Sequence, residues 1–216
     1  IVNSVLLPTG VTGATSSSID TTGATGLIMG FCGFQPVNLP TISDNKGNTW
    51  TARTLQATGA VHEARAQIFD SMDAPTVGTG HTFSWSYAGY MNAFCAVIAI
   101  NDSKASGAFD QENGFATNSE VSSVQPGSIT PSEDNEIVFA LGGFPNDMNS
   151  GTGAINGGFT IQHQRAYTTA GSHIGGLLAY LIQTTAASAN PTITAPTGTD
   201  PMSAVIASYK SAGGGG

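Results

Sequence analysis

The sequence predicts an all-β protein: a two-sheet antiparallel β-sandwich of jelly-roll type with about twelve to fourteen strands. No window of a dozen residues shows the sustained three- and four-residue apolar spacing of an amphipathic helix. Short apolar runs bounded by Gly, Pro, Asn or Asp instead recur along the whole chain. Such runs are typical of strands that are joined by tight turns.

Two kinds of strand follow one another along the chain. Five runs are apolar throughout, which favours strands buried on both faces: Gly26–Phe34, Asn92–Ile100, Glu136–Phe144, Gly175–Gln183 and Ser203–Tyr209. Four others alternate apolar and polar residues and indicate strands with one face in water: "TWTARTL", "HEARAQIF", "HTFSWSY" and "FTIQHQ".

The order of these runs repeats within the chain. A shift of about 109 positions aligns Phe34 with Phe144 and Trp50 with Phe159, and four elements recur in the same order. We interpret the pattern as a pseudo-duplicated strand unit whose two copies interleave into one sandwich.

The domain organisation follows from that pattern. Between the two halves lies no long Pro-rich or charged tract of the kind that links domains. We predict one domain over residues 1–212, with pseudo-repeated halves near 1–104 and 105–212. Residues 213–216 are all Gly and indicate a flexible tail or linker.

Composition restricts the classes of function. Charged residues make up 9% of the chain, against roughly 25% in an average soluble domain. The formal net charge is −8, and the six Lys and Arg residues are too few for the clustered cations that nucleic acids or anionic membranes need. No apolar run is long enough for a membrane-spanning helix. We therefore predict no nucleic-acid partner, no membrane insertion and no cofactor, in an extracellular or virion-surface setting.

The stretch "SDNKGNTW" at residues 43–50 has two interpretations. As a metal-binding loop it offers Asp44 and two amides, but Lys46 places a cation among them and no Glu follows to add a bidentate ligand. As a hairpin, its Asp and Asn side chains bond their own backbone while Gly47 adopts a positive φ. We favour the hairpin, with Trp50 buried beside its counterpart of the second half and no metal at Asp44.

The two cysteines, Cys32 and Cys95, each lie in an apolar run. This placement favours two buried thiols that behave as small apolar side chains. A disulfide between neighbouring strands, which would suit an oxidising location, is the alternative. Neither residue has the neighbouring Cys or His pattern of a zinc site.

Two acidic stretches are the candidates for glycoside hydrolysis, which needs two carboxyl groups about 5–10 Å apart. They supply Asp110 and Glu112 in "FDQENG" and Glu133, Asp134 and Glu136 in "SEDNEI". Both stretches are polar and turn-like, so solvated turn carboxylates are the simpler interpretation. Nucleophilic catalysis has no signature either, because the chain lacks a Gly-x-Ser-x-Gly elbow and scatters its histidines, His62, His81, His163 and His173. We assign no catalytic residue and no metal ligand.

The aromatic stretch "SWSYAGYMN" is a candidate carbohydrate-binding patch. Trp85 and Tyr87 share one strand face, Tyr90 follows in the next turn, and Asn92 lies nearby. Aromatic rings stack on sugar rings, and an amide fixes sugar hydroxyls. The alternative is a strand face that packs in the core or at a subunit contact.

Six segments, taken in order, resemble Gly/Thr-rich β-sandwich proteins of tailed bacteriophages and bacterial surfaces: "TTGATGLIM", "ISDNKGNTWTA", "PTVGTGHTFSW", "QPGSITPSEDNEIVFALGG", "AYLIQTTAASANPTIT" and "SAVIASYK". The resemblance spans nearly the whole chain and rests on strand and turn signatures. It implies a virion or cell-surface module, such as a capsid decoration protein, a fibre or an adhesin, and it implies no catalytic residues.

Three functions follow, in order of preference. The first is a non-enzymatic structural module exposed on a phage virion, as a capsid decoration, cement or fibre protein. Its partners would be other virion proteins or its own copies in a homo-oligomer such as a trimer. The second is a lectin-like or adhesin domain that binds cell-surface glycan through the Trp85 region. The third is a jelly-roll glycoside hydrolase that uses one of the acidic stretches.

Overall fold

The computed structural model of the chain describes residues 1–9, 12–34, 40–59, 64–89, 92–145, 153–165 and 174–213. These residues contain strands and no helix, which confirms the all-β prediction. Within the described ranges, no helix has the length and apolarity needed to cross a membrane. The described residues form seventeen strands: β1 (Asn3–Leu6), β2 (Gly13–Thr15), β3 (Gly26–Phe34), β4 (Thr41–Asp44), β5 (Thr51–Ala52), β6 (Gln56–Ala57), β7 (Ala64–Ser71), β8 (Phe83–Ser86), β9 (Asn92–Ile100), β10 (Phe109–Val121), β11 (Ser123–Val124), β12 (Glu136–Pro145), β13 (Ala154–Ile155), β14 (Thr160–Arg165), β15 (Ile174–Gln183), β16 (Ile193–Thr194) and β17 (Asp200–Tyr209).

The strands of the described residues are arranged in four antiparallel sheets rather than the two that the sequence predicts. The first large sheet has the order β1-β9-β3-β7-β5, with β6 also paired to β7. The second large sheet has the order β10-β17-β12-β15-β14. Two small sheets have the orders β2-β8-β4 and β11-β16-β13. The strand count exceeds the expected twelve to fourteen because several segments are only two residues long.

The two large sheets pack face to face in the middle of the molecule. Their facing side chains form one cluster, the central core, to which Ile28 and Ile98 contribute from the first sheet and Leu141 and Leu178 from the second. Every one of these four side chains is buried. The central core therefore joins the two halves of the chain through apolar contact.

Each small sheet covers the outer face of one large sheet. The first outer core lies between the first large sheet and β2-β8-β4, and it contains Leu27, Met29 and Trp85. The second outer core, which contains Leu177 and Ile193, lies between the second large sheet and β11-β16-β13. The inner strands β3, β9, β12 and β17 are thus covered on both faces, which explains why their sequences are largely apolar.

Strand β7 departs from its predicted exposure. Its sequence alternates and predicts one wet face, yet every residue from Ala64 to Ser71 is buried. Arg65, Gln67 and Asp70 are among the buried polar residues of this strand. The prediction of a wet face is wrong because the outer face of β7 is covered as well: Phe69 packs in the first outer core, and Gln67 Nε2 donates to the Arg53 carbonyl at 2.6 Å.

The two halves of the chain share one strand order. In each large sheet the first strand of the half lies at an edge beside the last strand, and the last strand lies beside the third. In each small sheet the second strand of the half lies beside the penultimate one. Every sheet takes its described strands from one half only, so the halves stack and do not interleave.

The cysteines are free and buried. On the neighbouring strands β3 and β9, Cys32 lies opposite Phe94 and Cys95 lies opposite Phe31. Cys32 faces the central core and Cys95 faces the first outer core, so the two side chains lie on opposite faces of the sheet. The disulfide alternative is therefore wrong. Burial raises the pKa of both thiols, which keeps them protonated and unreactive.

The stretch at 43–50 is a turn between sheets rather than a hairpin. Strand β4, which ends at Asp44, pairs with β8 in a small sheet, whereas β5 pairs with β7 in a large sheet. Gly47 has φ of 75°, as the turn interpretation requires. Because the strands on either side belong to different layers, the turn carries the chain across the first outer core.

Candidate functional site

The predicted sugar patch around Trp85 is not a surface. Trp85 is 1% exposed and lies edge-on to Phe31 in the first outer core, with 5.4 Å between ring centroids. Tyr87 is half-buried against the same core, and Asn92 is buried on β9. Tyr90 lies outside the described residues. A buried indole offers no face to a sugar ring, so the core-packing alternative describes Trp85 correctly.

The Asp44 carboxylate is buried and fully engaged. Its Oδ2 accepts a hydrogen bond from Trp50 Nε1 at 2.8 Å, and its Oδ1 accepts bonds from the backbone N–H groups of Lys46 at 2.8 Å and Asn48 at 3.3 Å. These donors occupy the oxygens that a metal would need. Within the described residues, no group of three or more His, Cys, Asp or Glu side chains is placed to hold a metal.

Trp50 is half-buried rather than buried. It packs against the first outer core with its ring edge toward Phe83, at 6.2 Å between centroids. Its sequence counterpart Phe159 packs against the second outer core, so the expectation that the two rings adjoin is wrong. The central core separates them because each half keeps its own outer layer.

His81 joins a hydroxyl and a carboxylate in the order of a catalytic triad. Thr21 Oγ1 lies 2.9 Å from His81 Nδ1, and His81 Nε2 lies 3.4 Å from Asp44 Oδ1. Thr21 and His81 are both 0% exposed, and the Thr21 hydroxyl also bonds the backbone of Gly78. A substrate cannot reach this hydroxyl, so the trio holds loops together. Sequence reasoning missed it because the three residues come from separate segments; His62 and His173 lie outside the described residues.

Burial lowers the pKa of His81, although the Asp44 carboxylate opposes that effect. The pKa of Asp44 is also lowered: burial acts to raise it, and the hydrogen bonds from Trp50, Lys46 and Asn48 outweigh burial. The pair therefore consists of a neutral imidazole and a carboxylate near pH 7.

The acidic residues of "FDQENG" lie in the long strand β10 and not in a turn. Glu112 accepts hydrogen bonds from the backbone N–H of Thr54 at 2.8 Å and from its hydroxyl at 2.9 Å. Asp110 accepts from the backbone N–H of Ser132 at 2.8 Å and from its hydroxyl at 2.7 Å. Glu112 thus ties the second half to the first, and Asp110 holds the segment before β12.

The structure brings three of the candidate carboxylates into one cluster with two lysines. Lys104 Nζ lies 2.6 Å from Glu133, and Lys210 Nζ lies 3.2 Å from Asp110. Glu136 is 0% exposed and accepts a bond from the Glu133 backbone N–H at 3.0 Å. Because its carboxylate is out of reach of a substrate, this cluster does not present the open carboxyl pair that glycoside hydrolysis needs.

Within the cluster, the pKa values of the neighbouring acids Glu136 and Asp110 are shifted in opposite directions. Burial, reinforced by the charge of Asp110, raises the pKa of Glu136. For Asp110, burial acts in the same direction, but hydrogen bonds from Ser132 and Lys210 hold its pKa below the ordinary value. Asp134, the remaining acid of "SEDNEI", accepts a hydrogen bond from the backbone N–H of Ala186 at 2.6 Å.

A second buried network joins the halves at one end of the central core. Asp70 is 2% exposed, and its carboxylate accepts from Arg53 Nη2 at 2.9 Å and from the Tyr209 hydroxyl at 3.0 Å. Arg53 Nε donates to the same carboxylate, and the guanidinium lies 3.6 Å from the ring centroid of Phe109. A polar cavity of about 360 Å³ adjoins this network and also borders Asp73. Asp70 neutralises the Arg53 charge there.

A groove of about 680 Å³ runs over the outer face of β10, and we call it the Phe115 groove. Phe115 is 51% exposed in it, whereas every other aromatic ring of the described residues is buried or half-buried. The lining residues come from β10, β11 and the loops beside them: Asn113, Gly114, Phe115, Thr117, Val121, Ser123, Val124, Gln125, Pro126, Gly127, Asn190 and Thr192. All of them are uncharged.

Hydrogen bonds fix the walls of the Phe115 groove. Asn113 Nδ2 donates to the Ser128 carbonyl at 3.0 Å. Gln125 Nε2 donates to Thr192 Oγ1 at 3.2 Å, and Asn190 Oδ1 accepts from the backbone N–H of Gly127 at 3.1 Å. Sequence reasoning missed this groove; its one local signal is an aromatic residue among polar neighbours in "NGFATN".

Comparison with known proteins gives no match: no family model fits the chain, and no curated protein or solved structure is significantly similar to it.

Proposed function

We propose that this chain is a non-enzymatic structural module exposed on a phage virion, as a capsid decoration, cement or fibre protein. The equal strand order of the two halves carries the proposal. In each half the large sheet begins first-last-third and the small sheet holds the second and penultimate strands, as expected for a jelly roll. Jelly rolls build viral capsid domains and lectins, and the resemblance of six segments to phage and surface proteins points the same way.

We further propose that the halves are two copies of one duplicated jelly-roll unit. Corresponding strands recur at a sequence shift of about 109 positions, and corresponding strands occupy corresponding places in the sheets. The large sheets of the two copies then meet in the central core. A duplicated, back-to-back unit leaves two outward faces, which suits contacts with other virion proteins or with further copies of the chain.

The hydrogen bonds of the acidic side chains support a structural role. The carboxylates of Asp70, Asp110 and Glu112 each bond a partner from another segment of the chain, and that of Asp44 bonds groups across its own turn. Such bonds stabilise the connections between layers because a buried carboxylate that lost its partners would be costly. These side chains hold the scaffold, and Asp70 among them is only 2% exposed.

Immunogold electron microscopy tests the proposal directly. Particles would be purified from a phage lysate of cells that express the chain, and antibodies raised against the whole chain would be applied. We expect gold on the particle surface and, in light scattering of the purified chain, a homo-oligomer such as a trimer. Bare particles, with the chain confined to the soluble fraction as a monomer, would contradict the proposal.

A further inference from the structure

We infer that the Phe115 groove is a binding site for an uncharged oligosaccharide. The first support is the exposed ring itself. Folding buries large apolar side chains where it can, and Phe115 instead presents half of its surface beside hydroxyl and amide groups. An aromatic face next to hydrogen-bonding groups is the arrangement that holds a sugar ring by its C–H face and its hydroxyls.

The polar groups of the wall have bonding capacity to spare. An amide side chain offers two donors and an acceptor with two lone pairs. Among the described residues, Asn190 Oδ1 accepts one hydrogen bond. The Gln125 side chain makes its hydrogen bonds as a donor, through Nε2. Both side chains are exposed, so their remaining donors and acceptors face the groove and the solvent above it.

Charge decides between classes of small ligand. None of the twelve lining residues is charged, and the chain as a whole carries −8. Phosphate, sulfate and acidic sugars need cations that this groove lacks, and a metal needs carboxylates. A neutral sugar needs neither, and the volume of about 680 Å³ lies in the range of ligand sites, with room for more than one ring.

The groove is also held in place before any ligand arrives. The Gln125–Thr192 and Asn190–Gly127 bonds fix one wall, and the pairing of β10 with β17 fixes the floor. A site of fixed shape loses little conformational entropy on binding. The site is independent of the proposed virion role, although on a virion it would give the module an adhesive surface.

The test uses the whole chain and a panel of neutral oligosaccharides, from disaccharides to hexasaccharides, with oligogalacturonate as the acidic comparison. Binding on a glycan array is followed by calorimetric titration of the sugar that binds. We expect binding of a neutral sugar and none of oligogalacturonate. Phe115→Ala should weaken binding about tenfold, whereas Phe115→Tyr, which keeps the ring, should stay within about twofold.

Ile182→Ala is the matched control, because Ile182 is 55% exposed on β15 and lies outside the groove. It should leave the affinity unchanged, and thermal unfolding should show that Phe115→Ala is folded. The inference fails if no neutral sugar binds at millimolar concentration, or if Phe115→Ala binds as wild type does. It also fails if Phe115→Ala merely abolishes self-association, which would make the groove an interface between copies. Immunogold labelling of particles is scored separately, so each proposal can fail alone.

Discussion

Buried charges in this protein act as connectors between chain segments, and Asp70 is the clearest case. Its carboxylate accepts hydrogen bonds from Arg53, which follows β5, and from the hydroxyl of Tyr209 at the end of β17. Burial and the charge of Asp70 raise the pKa of Tyr209, so this hydroxyl stays protonated and donates. Asp70 thus bonds a residue that lies 139 positions further along the chain.

Asp70→Asn should lower the free energy of unfolding by about 3 kcal/mol, because it leaves the half-buried Arg53 guanidinium without a counterion. Urea unfolding measures the change. Tyr209→Phe is the control, since it removes one hydrogen bond from the same carboxylate and should lower stability by only about 1 kcal/mol. Equal stability of Asp70→Asn and wild type would show that the network contributes nothing.

His81 makes stability depend on pH. Its pKa is lowered in the folded state, so as pH falls below about 6.5 the unfolded chain takes up a proton first. The unfolded state then binds more protons than the folded state, and stability falls with pH, at most by about 1.4 kcal/mol per pH unit for one group. His163, whose pKa burial also lowers, contributes with the same sign.

Urea unfolding between pH 7.5 and 5 should show this loss in the wild type, and a shallower one in His81→Gln. His163→Gln should retain the His81 contribution and serves as the control. The charged groups that act on His81 are Asp44 and Lys46, and Asp44 ionises below the pH range chosen. An unchanged slope in His81→Gln would contradict the assignment.

At the scale of single elements, glycines set how closely the large sheets approach. A Cβ added to Gly176 on β15 would lie 2.7 Å from a ring carbon of Phe94 on β9 and 3.1 Å from its Cβ. A Cβ added to Gly30 on β3 would instead lie 3.0–3.2 Å from the methyl ends of Leu141 and Leu178, which can shift. The same central core therefore contains one rigid and one yielding contact.

Gly176→Ala should lower the free energy of unfolding by about 1–3 kcal/mol, because the new methyl group overfills the space against Phe94. Gly30→Ala, the matched variant in the facing sheet, should lower it less. Urea unfolding of the two variants compares them on one scale. A Gly30→Ala variant less stable than Gly176→Ala would show that the leucines are held as firmly as the ring.

The strands show where the sequence is informative. The run Gly26–Phe34 is apolar throughout and forms β3, because a strand between two covered faces leaves no position for water. The alternation in β7 misleads, since Arg65, Gln67 and Asp70 are polar and yet buried. Their partners come from other segments, such as the Arg53 carbonyl that accepts from Gln67 Nε2 at 2.6 Å. The local sequence pattern of a strand cannot predict partners that come from distant segments.

At the scale of the whole molecule, the distance along the chain between contacting segments also explains why the sequence did not reveal the candidate site. The Phe115 groove joins β10 and β11 to Asn190 and Thr192, which follow about 70 residues later, so only the fold brings them together. Trp85 looked like a surface ring because its neighbours in sequence are polar. The small sheet that contains it folds over the large sheet, which places the ring inside.

The stacking of the halves through one apolar core predicts that they unfold together. Both tryptophans, Trp50 and Trp85, lie in the first half, so indole fluorescence reports on that half, whereas circular dichroism reports on the strands of both. Leu178 belongs to the side of the central core that the second half supplies. Leu178→Ala would leave a cavity there and should lower the free energy of unfolding by about 2–5 kcal/mol. In urea it should shift both signals to the same lower midpoint.

Leu177→Ala is the matched control, because Leu177 is equally buried but faces the second outer core, away from the first half. If the halves form one cooperative unit, this variant also shifts the tryptophan transition, although no tryptophan lies in its half. Separate midpoints for fluorescence and circular dichroism, with the tryptophan signal unmoved by Leu177→Ala, would show that the halves unfold independently. The central core would then be an interface between two domains.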